Sequence, residues 1–110
     1  MSMRDWSDYR QQPTVQIGRI AKISPNTIKG HQVPSAAGLS TNLLGPKTRE
    51  LISLAVAITV RCDGCIAVRA ESVARHRASR EEIAETLGVA TAVNAGASYI
   101  PPTCWTPASR

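Results

Sequence analysis

Cys62 and Cys65 stand three residues apart, with Asp63 and Gly64 between them. On a helix, one turn brings two residues at this spacing together, so their sulfurs can bridge. A thiolate is the reactive form of cysteine, and the unpaired N–H groups and dipole of a helix N-terminus favour it. One sulfur can then attack an oxidant, and the other can resolve the resulting sulfenic acid as a disulfide. Gly64 makes the intervening backbone easier to accommodate. The same pair is also compatible with inert buried thiols or with half of a zinc site. Zinc needs four ligands, and Cys104, His76 and His31 lie at spacings that match no familiar zinc motif. No zinc site is therefore expected, and thiol chemistry at the pair would require no metal or flavin.

The elements that must position this pair belong to a chain of 110 residues, which predicts one domain. The chain has no Phe, two Trp and two Tyr. Its apolar content is Ala, Val, Ile and Leu, whose small side chains let helices approach closely but bury little area each. A core of this kind gains from association with further copies. No charged-then-apolar leader pattern opens the sequence, and the longest fully apolar run, Leu54 to Ile58, is far too short to cross a bilayer. The expected location is the cytoplasm, where thiols are kept mostly reduced and a C-x-x-C pair serves catalysis or metal binding more often than stapling. Three cysteines, an odd number, also argue against a simple disulfide framework.

The net charge is +5. Arg61, Arg69, Arg75, Arg77 and Arg80 crowd into residues 61–80 against Asp63 and Glu71. Nucleic acid is not the expected partner, because no recognised motif and no aromatic stacking residue accompanies the cluster. A solvated helix face explains it more simply, and a role in tuning the cysteines is the sharper alternative.

Along the chain, residues 1–16 read as a polar arm in which Trp6 and Tyr9 can dock. Apolar residues at 17, 20 and 23 predict a short helix. Ser24-Pro25 predicts a capped helix start, but Gly30 and Pro34 predict a weak or broken helix to about Thr41. Gly45-Pro46 opens a helix over 47–61 that is apolar nearly all round and so reads as buried. A helix over 63–77 follows. Ser79-Arg80-Glu81-Glu82 is a capping box that opens a long apolar helix, which Pro101-Pro102 stops. Residues 17–100 thus form an all-α domain, with a Pro-rich tail over 101–110. The apolar character of residues 83–100 again predicts association.

The stretch Lys47-Thr48-Arg49-Glu50-Leu51-Ile52-Ser53-Leu54-Ala55-Val56-Ala57-Ile58-Thr59, followed by Arg61-Cys62-Asp63-Gly64-Cys65-Ile66-Ala67, strongly resembles the alkylhydroperoxidase-D-like core of the carboxymuconolactone decarboxylase family. Ala78 to Glu85 and Asn94 to Ala97 fit as well. The resemblance covers residues 46–98 well and residues 17–45 weakly. It implies an all-α, compact helical bundle that assembles as trimers or hexamers. It also implies that Cys65 is the reactive cysteine, that Cys62 resolves it, and that Glu50 takes part in a proton relay completed by a histidine four residues after the second cysteine.

Position 69 is instead Arg. A guanidinium stays charged and cannot pass protons as an imidazole does. Arg69 lies on the same helix face as Cys65, where it can stabilise a thiolate electrostatically. If helices 47–60 and 62–77 form a hairpin centred near residues 59 and 60, Glu50 and Arg69 are equidistant from the turn. The expectation is a fixed Glu50–Arg69 ion pair in place of the relay. His76 is a candidate substitute base, but it lies roughly 16 Å along the helix from Cys65, too far to reach the sulfur of its own chain, so that only a neighbouring subunit could present it. An exposed helix-end histidine is the simpler reading, and His31 reads as uninformative. Cys104 reads as an incidental tail thiol or a third redox thiol.

The leading function is that of a thiol-dependent peroxidase or disulfide reductase, slowed by Arg69. It would act on a hydroperoxide or a partner protein's disulfide and be regenerated by an external thiol reductant. The alternatives are a decarboxylase-like enzyme acting on an anionic lactone, against which the cysteine pair argues, and a non-enzymatic redox-sensing or interaction protein.

Overall fold

A computed structural model describes residues 6–100 of the chain. It contains five helices: α1 (Trp6–Ile23), α2 (Pro25–Thr41), α3 (Pro46–Thr59), α4 (Asp63–Arg75) and α5 (Arg80–Ala97). No strand occurs among the described residues. Among the described residues, no helix is long and apolar enough to cross a membrane.

Three helix starts follow the sequence signals. Pro25 and Pro46 occupy first-turn positions, where a missing N–H costs nothing. The capping box forms in full: Ser79 Oγ accepts from the Glu82 N–H at 3.0 Å, and Glu82 Oε1 accepts from the Ser79 N–H at 2.9 Å. Ser24 holds its position before α2 but makes no side-chain cap, because its hydroxyl bonds Thr27 Oγ1 at 2.7 Å instead.

Three boundaries differ from the sequence reading. The predicted arm and the short helix over 17–23 are one helix, α1, which runs through Pro13 from Trp6. Segment 25–41 is one unbroken helix despite Gly30 and Pro34. Helix α5 stops at Ala97, ahead of Pro101, with Ser98, Tyr99 and Ile100 turning back to carbonyls of the last turn. The tail with Pro101, Pro102 and Cys104 lies outside the described residues.

Helices α3 and α4 form a hairpin, with α5 packed on α3 and α1 on α4, while α2 leans on α1. The buried core is small: Leu54 and Ala57 from α3, Ala67 and Val73 from α4, and Ala90 from α5. Three of these five are alanine, so the helices approach closely but bury little area. Helix α2 buries no residue. Helix α3, expected to be buried all round, is covered on one side only, and Ile52, Val56 and Val60 are exposed. The radius of gyration, 17.4 Å, exceeds the value of about 13 Å usual for a compact domain of this length.

Both ends of the α3–α4 hairpin are closed by the same device. After α3, the Arg61 N–H bonds the Ile58 carbonyl and the Cys62 N–H bonds the Ala57 carbonyl, each at 3.1 Å. After α4, the Arg77 N–H bonds Ala74 and the Ala78 N–H bonds Val73. This is the Schellman pattern, in which the turning residue is left-handed. Here that residue is arginine, with φ 57° at Arg61 and 62° at Arg77, rather than the glycine that adopts such angles freely.

Candidate functional site

The Schellman turn sets the position of the cysteines. Cys62 is the last residue of that turn and also the N-cap of α4. Its N–H is tied back to α3, and its carbonyl accepts the first α4 bond, from Ile66, at 2.8 Å. Its Sγ accepts from the Cys65 N–H at 3.2 Å. Cys62 and Cys65 are joined as a disulfide, with their Cα atoms 5.2 Å apart. Cys65 is exposed and Cys62 half-buried. On the other side of the motif, Gly64 lies under α1. A Cβ at Gly64 would come 3.0 Å from Pro13 Cγ, so glycine here permits the close approach of α1.

One turn beyond Cys65, Arg69 Nη1 donates to Glu50 Oε2 at 3.2 Å. The hairpin thus brings Glu50 and Arg69 face to face, as their equal distances from the turn suggest. The Glu50 side chain is 20% exposed and that of Arg69 41%, so the pair lies at the edge of the interior.

Glu50 and Arg69 also line a cavity of about 690 Å³ between α2 and the α3–α4 hairpin. His31, Arg49 and His76 share its wall. The sequence offers His76 only as a substitute base presented by a neighbouring subunit, and gives His31 no role. The hairpin and the lie of α2 bring them to one space, and no spacing along the chain reveals that. His76 caps the end of α4, and its Nδ1 is 2.8 Å from the Ser72 carbonyl oxygen. Neither cysteine lines this cavity. Among the described residues, no group of three metal-ligating side chains comes together, so His31, His76 and the cysteine pair do not converge.

A second space, of about 350 Å³, lies between α3 and α5 and is lined mainly by Leu51, Ile52, Ala55 and Val89. At its rim Lys47 Nζ meets Glu82 Oε2 at 2.8 Å. This bond, together with the Ser79 backbone N–H, lowers the Glu82 pKa.

These features define an all-helical protein with a C-x-x-C disulfide at the mouth of one helix and a Glu–Arg pair one turn away. The model of the carboxymuconolactone decarboxylase family matches residues 35–99, and the chain belongs to that family. An uncharacterized protein of Haemophilus influenzae is 41% identical over 95 residues, covering 86% of this chain and 84% of that one. A protein of Cupriavidus necator is 31% identical over 74 residues, covering 67% and 66% of the two chains. The crystal structure of a carboxymuconolactone decarboxylase family protein from Legionella pneumophila superposes with a TM-score of 0.73 at 32% identity, over 80% of this chain and 79% of that one.

Proposed function

We propose that the protein is a thiol-dependent peroxidase or disulfide reductase in which Cys65 is the attacking and attacked sulfur and Cys62 the resolving one. The observation that carries this reading is the exposed Cys65 bonded to a Cys62 that serves as the cap of α4.

In the peroxidase direction, the Cys65 thiolate attacks the distal oxygen of a hydroperoxide. The O–O bond breaks, the alkoxide leaves and takes a solvent proton, and Cys65 becomes a sulfenic acid. The Cys62 thiolate then attacks that sulfur and expels hydroxide, which is protonated to water, forming the disulfide. An external dithiol returns the two electrons. Its first thiolate attacks Cys65, and Cys62 leaves as a thiolate; its second thiolate then attacks the reductant's own sulfur in the mixed disulfide, releasing Cys65 as a thiolate and the reductant as a disulfide. A leaving thiolate is better when it is stabilised, and the Cys65 N–H at 3.2 Å together with the N-terminus of α4 is placed to do this for Cys62.

Arg69 cannot shuttle protons, so protonation of the leaving alkoxide falls to solvent, and turnover is slow. Arg69 instead holds Glu50 and adds positive charge one turn from Cys65. We also assign the working form to a homo-oligomer, supported by the exposed Ile52, Val56, Val89 and Val93 on α3 and α5.

The test is hydroperoxide consumption with dithiothreitol as reductant. Slow but repeated turnover that vanishes in Cys65→Ser supports the reading. Hydroperoxide loss that is unchanged in Cys65→Ser contradicts it.

A further inference from the structure

The two Schellman turns of the α3–α4 hairpin share a strained residue but differ in what lies beside it. Arg61 sits at φ 57° and Arg77 at φ 62°, a region where glycine is unstrained and arginine is not. Arg61 is joined directly to Cys62, which is both the cap of α4 and half of the disulfide. Arg77 stands at the other end of α4, about 22 Å away at the standard helical rise. A strained angle kept beside a reactive group points to a use for the side chain that occupies it.

The charges around the sulfurs indicate that use. Arg69, one turn beyond Cys65, is tied to Glu50 at 3.2 Å, so these two charges offset each other. Asp63 occupies the first turn of α4 between the cysteines and is engaged in an interaction of its own. Arg61 is exposed and makes no ion pair among the described residues. Its backbone is held by the bond from its N–H to the Ile58 carbonyl at 3.1 Å, which keeps the root of this cation next to Cys62. With Arg61 present, the formal charges of residues 61–65 cancel, and the N-terminus of α4 adds partial positive charge. Without it, the mouth of the disulfide carries a net negative formal charge. Arg61 therefore decides the sign of the field that an incoming thiol meets.

We propose that, in the thiol chemistry assigned to the pair, on which this inference rests, Arg61 is a specificity-determining residue that favours a negatively charged thiol as reductant of the Cys62–Cys65 disulfide. The reductant's thiolate attacks Cys65 Sγ, the S–S bond breaks, and Cys62 leaves as a thiolate. A second thiolate attacks the reductant's sulfur in the mixed disulfide, and Cys65 leaves as a thiolate. Two electrons have passed to the protein, and the two reductant sulfurs end joined as a disulfide. The guanidinium makes and breaks no bond. It attracts the carboxylate that the reductant carries away from its sulfur.

The experiment reduces the oxidised full chain with mercaptopropionate, mercaptoethanol and cysteamine, whose groups beyond the sulfur are anionic, neutral and cationic. Timed quenching by alkylation and mass measurement give each rate. Rates relative to mercaptoethanol are compared between proteins, so intrinsic differences among the thiols cancel. Arg61→Gly and Arg61→Asn both tolerate the left-handed angle and both remove the charge. Each lowers the relative rate of mercaptopropionate about threefold, the effect of one unit charge at roughly 7 Å in water, and raises that of cysteamine. Arg61→Lys keeps the wild-type ratios. Arg77→Gly relieves the same strain far from the sulfurs and leaves the ratios unchanged. The shifts shrink at high salt. Ratios equal in wild type, Arg61→Gly and Arg61→Asn, or shifted as much by Arg77→Gly, overturn the proposal while leaving the thiol chemistry intact. Failure of all three thiols to reduce the disulfide overturns the thiol chemistry itself, and this inference with it.

Discussion

Removing the Glu50–Arg69 pair one side chain at a time should show it to be a fixed structural element. At 3.2 Å, two unit charges attract by about 1.3 kcal/mol in water and about 5 kcal/mol at the intermediate dielectric of a protein boundary. Arg69 is 41% exposed and Glu50 20%, so solvent screening draws the net coupling to about 1 kcal/mol. Arg69→Met leaves the less exposed Glu50 carboxylate without its partner and costs about 2 kcal/mol. Glu50→Gln leaves the more exposed guanidinium and costs about 1 kcal/mol. The double variant then loses about 2 kcal/mol rather than the additive 3. Urea unfolding of the four proteins measures this cycle directly, and the coupling should shrink at high salt. Strict additivity at low salt would refute the reasoning, because it would mean that the two charges do not interact.

Three further outcomes follow from the same geometry. Arg69→His restores a side chain that titrates near neutral pH and should raise hydroperoxide turnover in a stopped assay; an unchanged rate would show that no proton relay operates at this position. Arg77 holds a left-handed angle that costs a non-glycine residue about 1 kcal/mol, so Arg77→Gly should raise the urea midpoint by a corresponding amount, and a lower midpoint would show that its side chain contributes more than the strain removes. The Glu82 carboxyl is held below its ordinary pKa by Lys47 and the Ser79 N–H; its stabilising contribution is complete above the ordinary carboxylate range and is lost as pH falls through the lowered pKa, so the melting temperature of wild type should fall more between neutral and acid pH than that of Glu82→Gln.

The elements nearest the chemistry were the most legible. Ser79 and Glu82 announce the start of α5 because both halves of a capping box are local. Glu50 and Arg69 meet because a hairpin places residues equidistant from its turn side by side. Helix α2 reads from the sequence as weak or broken because Gly30 and Pro34 disfavour a helix by local propensity, yet Pro34 lies within one unbroken helix here. The ends of α3 and α4 lack the glycine that usually marks a Schellman turn, since Arg61 and Arg77 stand there. The gathering of His31, Arg49 and His76 around one cavity depends on how α2 lies against the hairpin, which no pattern along the chain encodes. The exposed side of α3 was read as core because apolar residues on every face signal burial without saying whether the same chain supplies the cover.

Trapping the mixed disulfide distinguishes the two sulfurs most directly. Reaction of Cys62→Ser and Cys65→Ser with a chromogenic disulfide, followed by peptide mass mapping, shows which sulfur forms the adduct. The account predicts faster labelling of Cys65 in Cys62→Ser, because Cys65 is the exposed cysteine, than of the half-buried Cys62 in Cys65→Ser, even though the α4 N-terminus favours the Cys62 thiolate. Faster labelling of Cys62 than of Cys65 would contradict it.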